Sequence, residues 1–439
     1  MRKRIILSLS TFFIFFLAGG LYHPALGKVY IDIDAPGFQQ FPIAICDFQN
    51  KNKDLPPAAD FHTAIADHVR HYLDLSGIFN ILDKKSFLDG VEPGQPETIR
   101  FSDWSVIGAD FLLRGDATVL GKDIAVESRL YDITRGQMLF NKKYAGITDD
   151  LPAVSRAIAA DILLTLAGDE GDFNTQIAFV IKKNTGSDIY TLNYGAADVR
   201  NLTHHRSIVA APRWSPDGQY LAFTSYKNNR PEVYLQHLKT GKEKKVSSFS
   251  GLNLSGSFSP DSKKLLLTLS KEGNEEIYIL DIETMKIKRL TNSYSIDVSP
   301  AWSPDGKKIA FVSNRSGTPQ IFVMDIDGAN IKRITFEGNY NTSPSWSPRG
   351  GRIAYEGLIN HKYQIFSVDE EGNNLIQLTF DDADNEYPSW SPSGRQIVFS
   401  SQSGSKNRIS IMNSNGLNTR VIREGKEQLV MPAWSPRLK

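Results

Sequence analysis

Short apolar runs bounded by turn formers fill the second half of the chain and return at a fixed interval. Leu221-Ala222-Phe223, Ile309-Ala310-Phe311, Ile353-Ala354-Tyr355 and Ile397-Val398-Phe399 make one set. Val233-Tyr234-Leu235, Ile277-Tyr278-Ile279, Ile321-Phe322-Val323 and Ile365-Phe366-Ser367 make a second, and a third ends near Val246, Leu290-Thr291, Ile334-Thr335 and Leu378-Thr379. Brief runs of β-branched and aromatic residues predict strands, because such side chains pack well on a pleated surface. A Pro-x-Trp-Ser-Pro segment recurs ahead of these runs, continued at 217–218 and 305–306 by Asp-Gly, which makes a tight turn. Its anchors are Trp214, Trp302, Trp346, Trp390 and Trp434, with Phe258 in a degenerate copy where Gly256 also replaces proline. The start points 212, 256, 300, 344, 388 and 432 are each 44 residues apart, the signature of propeller blades.

The register extends backwards. Ile177-Ala178-Phe179 lies 44 residues before Leu221, and Ile189 and Leu202-Thr203 stand 44 before Val233 and Val246-Ser247. Strands two to four of a further blade are therefore expected at 176–206, with the missing first strand supplied by 432–436. Residues 176–439 hold six periods, so the expected fold is an all-β six-bladed propeller closed by the C-terminal strand, leaving no open edge between first and last blades.

Before the repeat the pattern changes. Val29, Ile31 and Ile33 alternate as in a strand, and 41–48 reads as another. Phe61, Ile65, Val69 and Leu73 recur every fourth residue, as do Val154, Ile158, Ile162 and Leu166, predicting two amphipathic helices. With strands near 111–113, 124–130 and 138–144, residues 28–167 are expected to form a smaller α/β sandwich, and 168–175 a hinge.

At the start, Arg2, Lys3 and Arg4 precede an apolar run over 5–18, and Ala25-Leu26-Gly27 places small residues at a cleavage site. This is the grammar of a signal peptide over 1–27, and the run is shorter than the roughly 20 residues of a spanning helix. The expected destination is the periplasm. Removal of 1–27 takes net charge from +1 to −2, which gives no electrostatic basis for nucleic-acid binding. The one cysteine, Cys46, has no partner for an internal disulfide and excludes multi-cysteine metal sites.

Nucleophile elbow, P-loop, zinc-protease and paired-cysteine motifs are all lacking, so no catalytic residue, cofactor or metal is expected. Asp217, Asp261 and Asp305 share a repeat position with Arg349 and Ser393, which points to turn chemistry rather than a carboxylate ring. His204-His205 is expected to be a solvated loop pair. His62, His68 and His71 fall on or beside the polar face of the first helix, and Asp381-Asp382-Ala383-Asp384 reads as a solvated acidic loop more readily than a calcium site.

The leader, the α/β unit, the W-S-P-D-G blades and the ending Pro432-Ala433-Trp434-Ser435-Pro436 together resemble the TolB family of the Tol–Pal envelope system. The resemblance covers essentially the whole chain and implies a monomeric, non-enzymatic periplasmic hub supporting outer-membrane integrity and constriction at cell division. It implies that the propeller mouth binds the lipoprotein Pal, through which the protein would lie peripheral to the outer membrane, and that colicin-like toxins can compete there. It also implies that the mature N-terminus, here Lys28-Val29-Tyr30-Ile31-Asp32-Ile33, binds TolA; its alternation suits addition to a sheet edge. Leu252, Ser255 and Val298 match family partner positions. Tyr294, Asp297, Tyr340 and Glu386 are expected to be exposed on the same rim, formed by the connections from each outer strand to the next inner one. Two other readings stay open: a binder of a small ligand or glycan in the central channel, and a gating propeller of a peptidase.

Overall fold

The computed structural model describes residues 38–51, 60–87, 99–195 and 198–438. The expected leader over 1–27 and the segment Lys28–Ile33 lie outside them.

Strands 41–45, 79–81, 111–120, 123–132 and 137–147 form the N-terminal sheet, in the order 79–81, 41–45, 111–120, 123–132, 137–147. Strand 41–45 runs parallel to both neighbours, the two-residue strand 49–50 also pairs parallel with 111–120, and the other pairings are antiparallel. Helices α1 (Phe61–Leu75) and α2 (Leu151–Ala167) bury Ile65, Val69, Leu73, Val154, Ile158 and Ile162, the stripes read from the sequence. Asp60 and Asp150 cap them by accepting from the Thr63 and Ala153 amides, and Gly168 ends the second at φ +70°. A short helix at 101–106 and the strand 79–81 escape the sequence pattern: each is too brief to show a period.

Six four-stranded sheets follow. Blade one joins 428–434 to 176–183, 186–193 and 199–201; blades two to six begin at Val209, Asn253, Asp297, Asn341 and Asp384. In blade one the chain terminus pairs antiparallel with the first propeller strand, Leu429 opposite Ile181 and Trp434 opposite Ile177. Ser435 Oγ accepts the Gln176 amide at 2.8 Å and its own amide donates to Gln176 O, extending the seam past the strand.

Every inner strand carries a bulge, as at Ala210/Arg213 and Val430/Ala433. In five blades the residue before the repeated proline is left-handed although it is not glycine: Ala211, Ser299, Ser343, Tyr387 and Met431 have φ between 53° and 56°. Such a conformation costs roughly 1–2 kcal/mol, and the bulge it creates resets the alternation so that the tryptophan turns into the gap between blades. The indole then ties blades together. Trp214 Nε1 donates to Ala433 O (3.0 Å), Trp346 to Ala301 O (3.1 Å) and Trp390 to Ser345 O (3.1 Å), each reaching the preceding blade. Blade three has Phe258 in place of the donor, and in blade four Trp302 Nε1 is buried without a partner. The substitutions at Gly256 and Phe258 thus make blade three the weakly tied sector of the ring.

The segment 168–175 runs through the junction. Asp172 accepts from the Ser393 amide (3.0 Å) and hydroxyl (2.5 Å), and Phe173 packs edge-on against Tyr72 and Tyr194. Gln396 Nε2 donates to Leu75 O (2.7 Å), Asn413 Nδ2 to Gly77 O (3.2 Å), and Arg420 pairs with Asp74 at 3.2 Å. These contacts seat the N-terminal unit on blades one and six.

Two outcomes test this account. Deleting 428–439 leaves 176–183 as an open edge, so cooperative thermal unfolding of the propeller should be lost; a transition identical to that of the full chain would refute closure by the terminus. W346F should cost about 1 kcal/mol more than W302F in denaturant melts, because the two share the packing loss but only the first gives up a hydrogen bond.

Candidate docking face

In each blade the inner strand starts on one side of the ring and ends on the other. The connections from outer to inner strand and the turns between second and third strands therefore share one side, here called the mouth face. The W-S-P-D-G turns and those between third and fourth strands share the opposite side. The interdomain bonds to Ser393, Asn413 and Arg420 use turns of that opposite side, so the described residues of the N-terminal unit are seated away from the mouth face.

Five consecutive mouth-face connections each present large apolar side chains to solvent. They are Ile208, Phe249, the pair Tyr294 and Ile296, the pair Phe336 and Tyr340, and Phe380. Tyr294 is fully exposed, Phe336 is 62% and Phe380 77% exposed. A crown of this kind is what a protein interface uses, since aromatic anchors bury much area at little entropic cost. Of the residues anticipated for this rim, Tyr294 and Tyr340 stand in the crown, while Leu252, Val298 and Glu386 are half-buried. Asp297 is not exposed as expected. It is fully buried at the start of its strand, where the Arg315 guanidinium folds over it at 2.8 Å; burial pushes its carboxyl up against the pull of Ser313 and Arg315. Ser255 is likewise buried, its amide held by Thr224 Oγ1 at 3.0 Å. Lys28–Ile33 lie outside the described residues. Ile208, Phe249, Ile296, Phe336 and Phe380 were missed, although Phe336 and Phe380 occupy the same position of successive repeats and could have been found by asking which loop positions are apolar.

The connections are braced from beneath. Asn253 receives the Ser247 hydroxyl (2.6 Å) and the Phe249 amide (3.0 Å), Asn341 bridges Gln320 and Glu337 O, and Asn385 donates to Asp381 (2.6 Å). The acidic stretch 381–384 serves this scaffold: Asp384 also holds Lys362 at 3.1 Å and the Tyr363 amide. A braced rim loses less entropy on binding than a mobile one. Among the described residues no cluster of three or more His, Cys, Asp or Glu has the arrangement to hold a metal ion.

One network looks chemical at first sight. His205 Nδ1 lies 2.7 Å from Ser225 Oγ and His205 Nε2 lies 2.8 Å from Glu243, the residue types of a hydrolase triad but with the two ring nitrogens exchanged. Ser225, however, is fully buried and its oxygen accepts the Lys227 amide, while Lys227 Nζ caps Glu243 at 2.5 Å. A nucleophile sealed in a strand meets no substrate, so the network fastens the 204–208 connection to blade two, and His205 is not the solvated side chain expected. His204 is exposed and His71 bonds Gly195 O at 2.9 Å. Burial holds His62 and His68 below the usual imidazole range, and pushes the Cys46 thiol up to about 11.

The central channel is walled by inner-strand residues including Trp214, Trp302, Trp346 and Trp390, with about 190 Å³ of free volume. At its mouth Glu356 is buried and accepts from Thr342, Ser343 and the Tyr387 amide. Glu386 beside it is pushed up to about 7, by burial first and then by repulsion from Glu356 and Asp384. Because the folded state holds this proton more tightly than the unfolded chain, its contribution to stability is fully present below about 4.5 and is lost as pH rises to about 7. E386Q should therefore raise Tm at pH 8 relative to wild type and flatten the fall between those values; an unchanged Tm–pH slope would refute this placement.

Comparison with known proteins bears on the whole chain. The TolB beta propeller domain family matches residues 164–438 and the TolB amino-terminal domain family matches 29–139. A Tol-Pal system protein TolB from Syntrophus aciditrophicus is 46% identical over 202 residues, which is 45% of this chain and 44% of that relative. A Protein TolB homolog from Chlorobium chlorochromatii is 37% identical over 204 residues, 46% of each chain. The chain thus spans less than half the length of the curated relatives it matches. The crystal structure of TolB from Acinetobacter baumannii superposes with a TM-score of 0.79 at 30% identity, covering 91% of this chain and 97% of that one. With both units matched in order and the propeller family spanning most of its length, this chain belongs to the TolB family of Tol–Pal system proteins.

Proposed function

We propose that the protein is a periplasmic docking hub of the Tol–Pal system, without enzymatic activity, that binds the lipoprotein Pal on the mouth face and TolA through Lys28–Ile33. The observation that carries the first contact is the crown of exposed apolar side chains on five connections of the face opposite the described residues of the N-terminal unit, with Asn253, Asn341 and Asn385 bracing three of them. Tyr294, Phe336, Tyr340 and Phe380 are its proposed anchors, with Leu252 and Val298 at the inner margin. Asp297 and Ser255 support the rim from within, and Glu386 borders the channel. Such a surface suits a folded partner better than a small molecule, which would need an enclosing cavity. For the second contact, the support is the alternation of Val29, Ile31 and Ile33 and the sheet-edge pairing it permits. Through these two contacts the protein would couple the outer membrane to the inner-membrane partner during constriction.

Purified protein should capture a Pal-type lipoprotein from an envelope extract. F336S combined with F380S should weaken that binding at least tenfold in calorimetry while leaving Tm unchanged, since hot-spot aromatics each contribute about 2 kcal/mol or more. Equal affinity in the double variant would move the site elsewhere. Deleting 28–33 should abolish TolA binding and spare Pal binding; loss of both would mean the segment is structural.

A further inference from the structure

The repeat position directly before the blade aromatic lines the central channel. Five blades place a small residue there: Ser257, Ala301, Ser345, Ser389 and Ala433. Blade two places Arg213. Its Nη1 donates to Pro212 O at 2.9 Å, and among the described residues no carboxylate pairs with it. The guanidinium is surrounded by protein closely enough that burial pulls its pKa below the ordinary arginine range, with no opposing charge to raise it, yet the residue keeps partial access to solvent through the channel. A desolvated cation without a counter-charge is costly, and the same wall tolerates serine or alanine five times over. The arginine is thus unnecessary for closing the ring.

We propose that the channel is a carboxylate-binding site in which Arg213 receives one acidic group of a segment inserted from the mouth. The guanidinium fork matches a carboxylate through two parallel hydrogen bonds. A single positive charge is balanced by a monoanion, whereas a phosphate dianion would leave excess charge in a poorly solvated space. The cavity of about 190 Å³, walled by tryptophan and proline, accommodates one acidic side chain with its methylene stem, or a small organic acid, but no folded element. Glu386 and Glu356 stand near Tyr387 at the mouth. Their charge works against free anions, so a carboxylate delivered on a tethered or docked segment has the advantage.

The test is thermal melting of the full chain in increasing acetate, and separately in a blocked tripeptide whose sole charge is one glutamate side chain. Each is compared with chloride at equal ionic strength, in wild type, R213K and R213Q. Binding to the folded state raises Tm by mass action. Wild type should rise with the peptide, and with acetate only at higher concentration; R213K should respond more weakly and R213Q not at all. In chloride, R213Q should melt no lower than wild type, because it sheds an uncompensated charge. A response to acetate alone would assign the site to free small acids. No response in wild type, the same response in R213Q, or a much lower Tm of R213Q in chloride would overturn the proposal. With no partner protein in the assay, that failure leaves the docking reading of the mouth face untouched.

Discussion

Antiparallel pairing of the last strand with the first strand of the propeller is the constraint on which the remaining structure depends. Once Trp434 lies opposite Ile177, the six sheets must share one axis, and each inner strand meets its neighbours at a fixed angle. The left-handed residue before the repeated proline and the indole that follows are answers to that crowding. The first bends the strand so that the second can reach a carbonyl of the preceding blade. Backbone strain is stored five times around the channel and offset by burial and hydrogen bonding between blades.

A ring closed in this way divides its surface by polarity of chain direction. Turns that carry the serine–aspartate hydrogen bonds, such as Ser215 with Asp217 and Ser303 with Asp305, fall on the side where the N-terminal unit is seated. The longer connections fall on the other side, where Asn253, Asn341 and Asn385 brace them. The turns held by serine–aspartate bonds and the braced apolar connections thereby fall on opposite faces, and the channel joins them. The junction is itself buried: Asp172 is satisfied by Ser393, and burial pushes its carboxyl up against those bonds. Phe173, Tyr72 and Tyr194 make the two units share one apolar cluster.

Much of this was legible beforehand because it is periodic. A 44-residue repeat reports every blade, and helices α1 and α2 announce themselves through apolar stripes several turns long. The strand 79–81 and helix 101–106 were not legible, since three or six residues carry no measurable period. At the rim, position along the chain located the connections correctly but not the direction of their side chains. Tyr294 in the connection and Asp297 at the start of the following strand are three residues apart, yet Asp297 is sealed beneath Arg315 and Tyr294 wholly exposed. His205 shows the same limit, because its partners Ser225 and Glu243 lie 20 and 38 residues away.

The amino-acid sequence alone determined the number of blades, the closing role of the terminus and the order of the two units. Those properties follow from period, register and composition, which are local or additive along the chain. Only the tertiary structure decided which rim residues face solvent, and that Arg213 has no carboxylate partner among the described residues and stands among small residues in the channel. It alone showed that the serine, histidine and glutamate of blade two form a sealed brace. Each of these depends on what lies across a gap between strands, and no spacing along one chain encodes that distance.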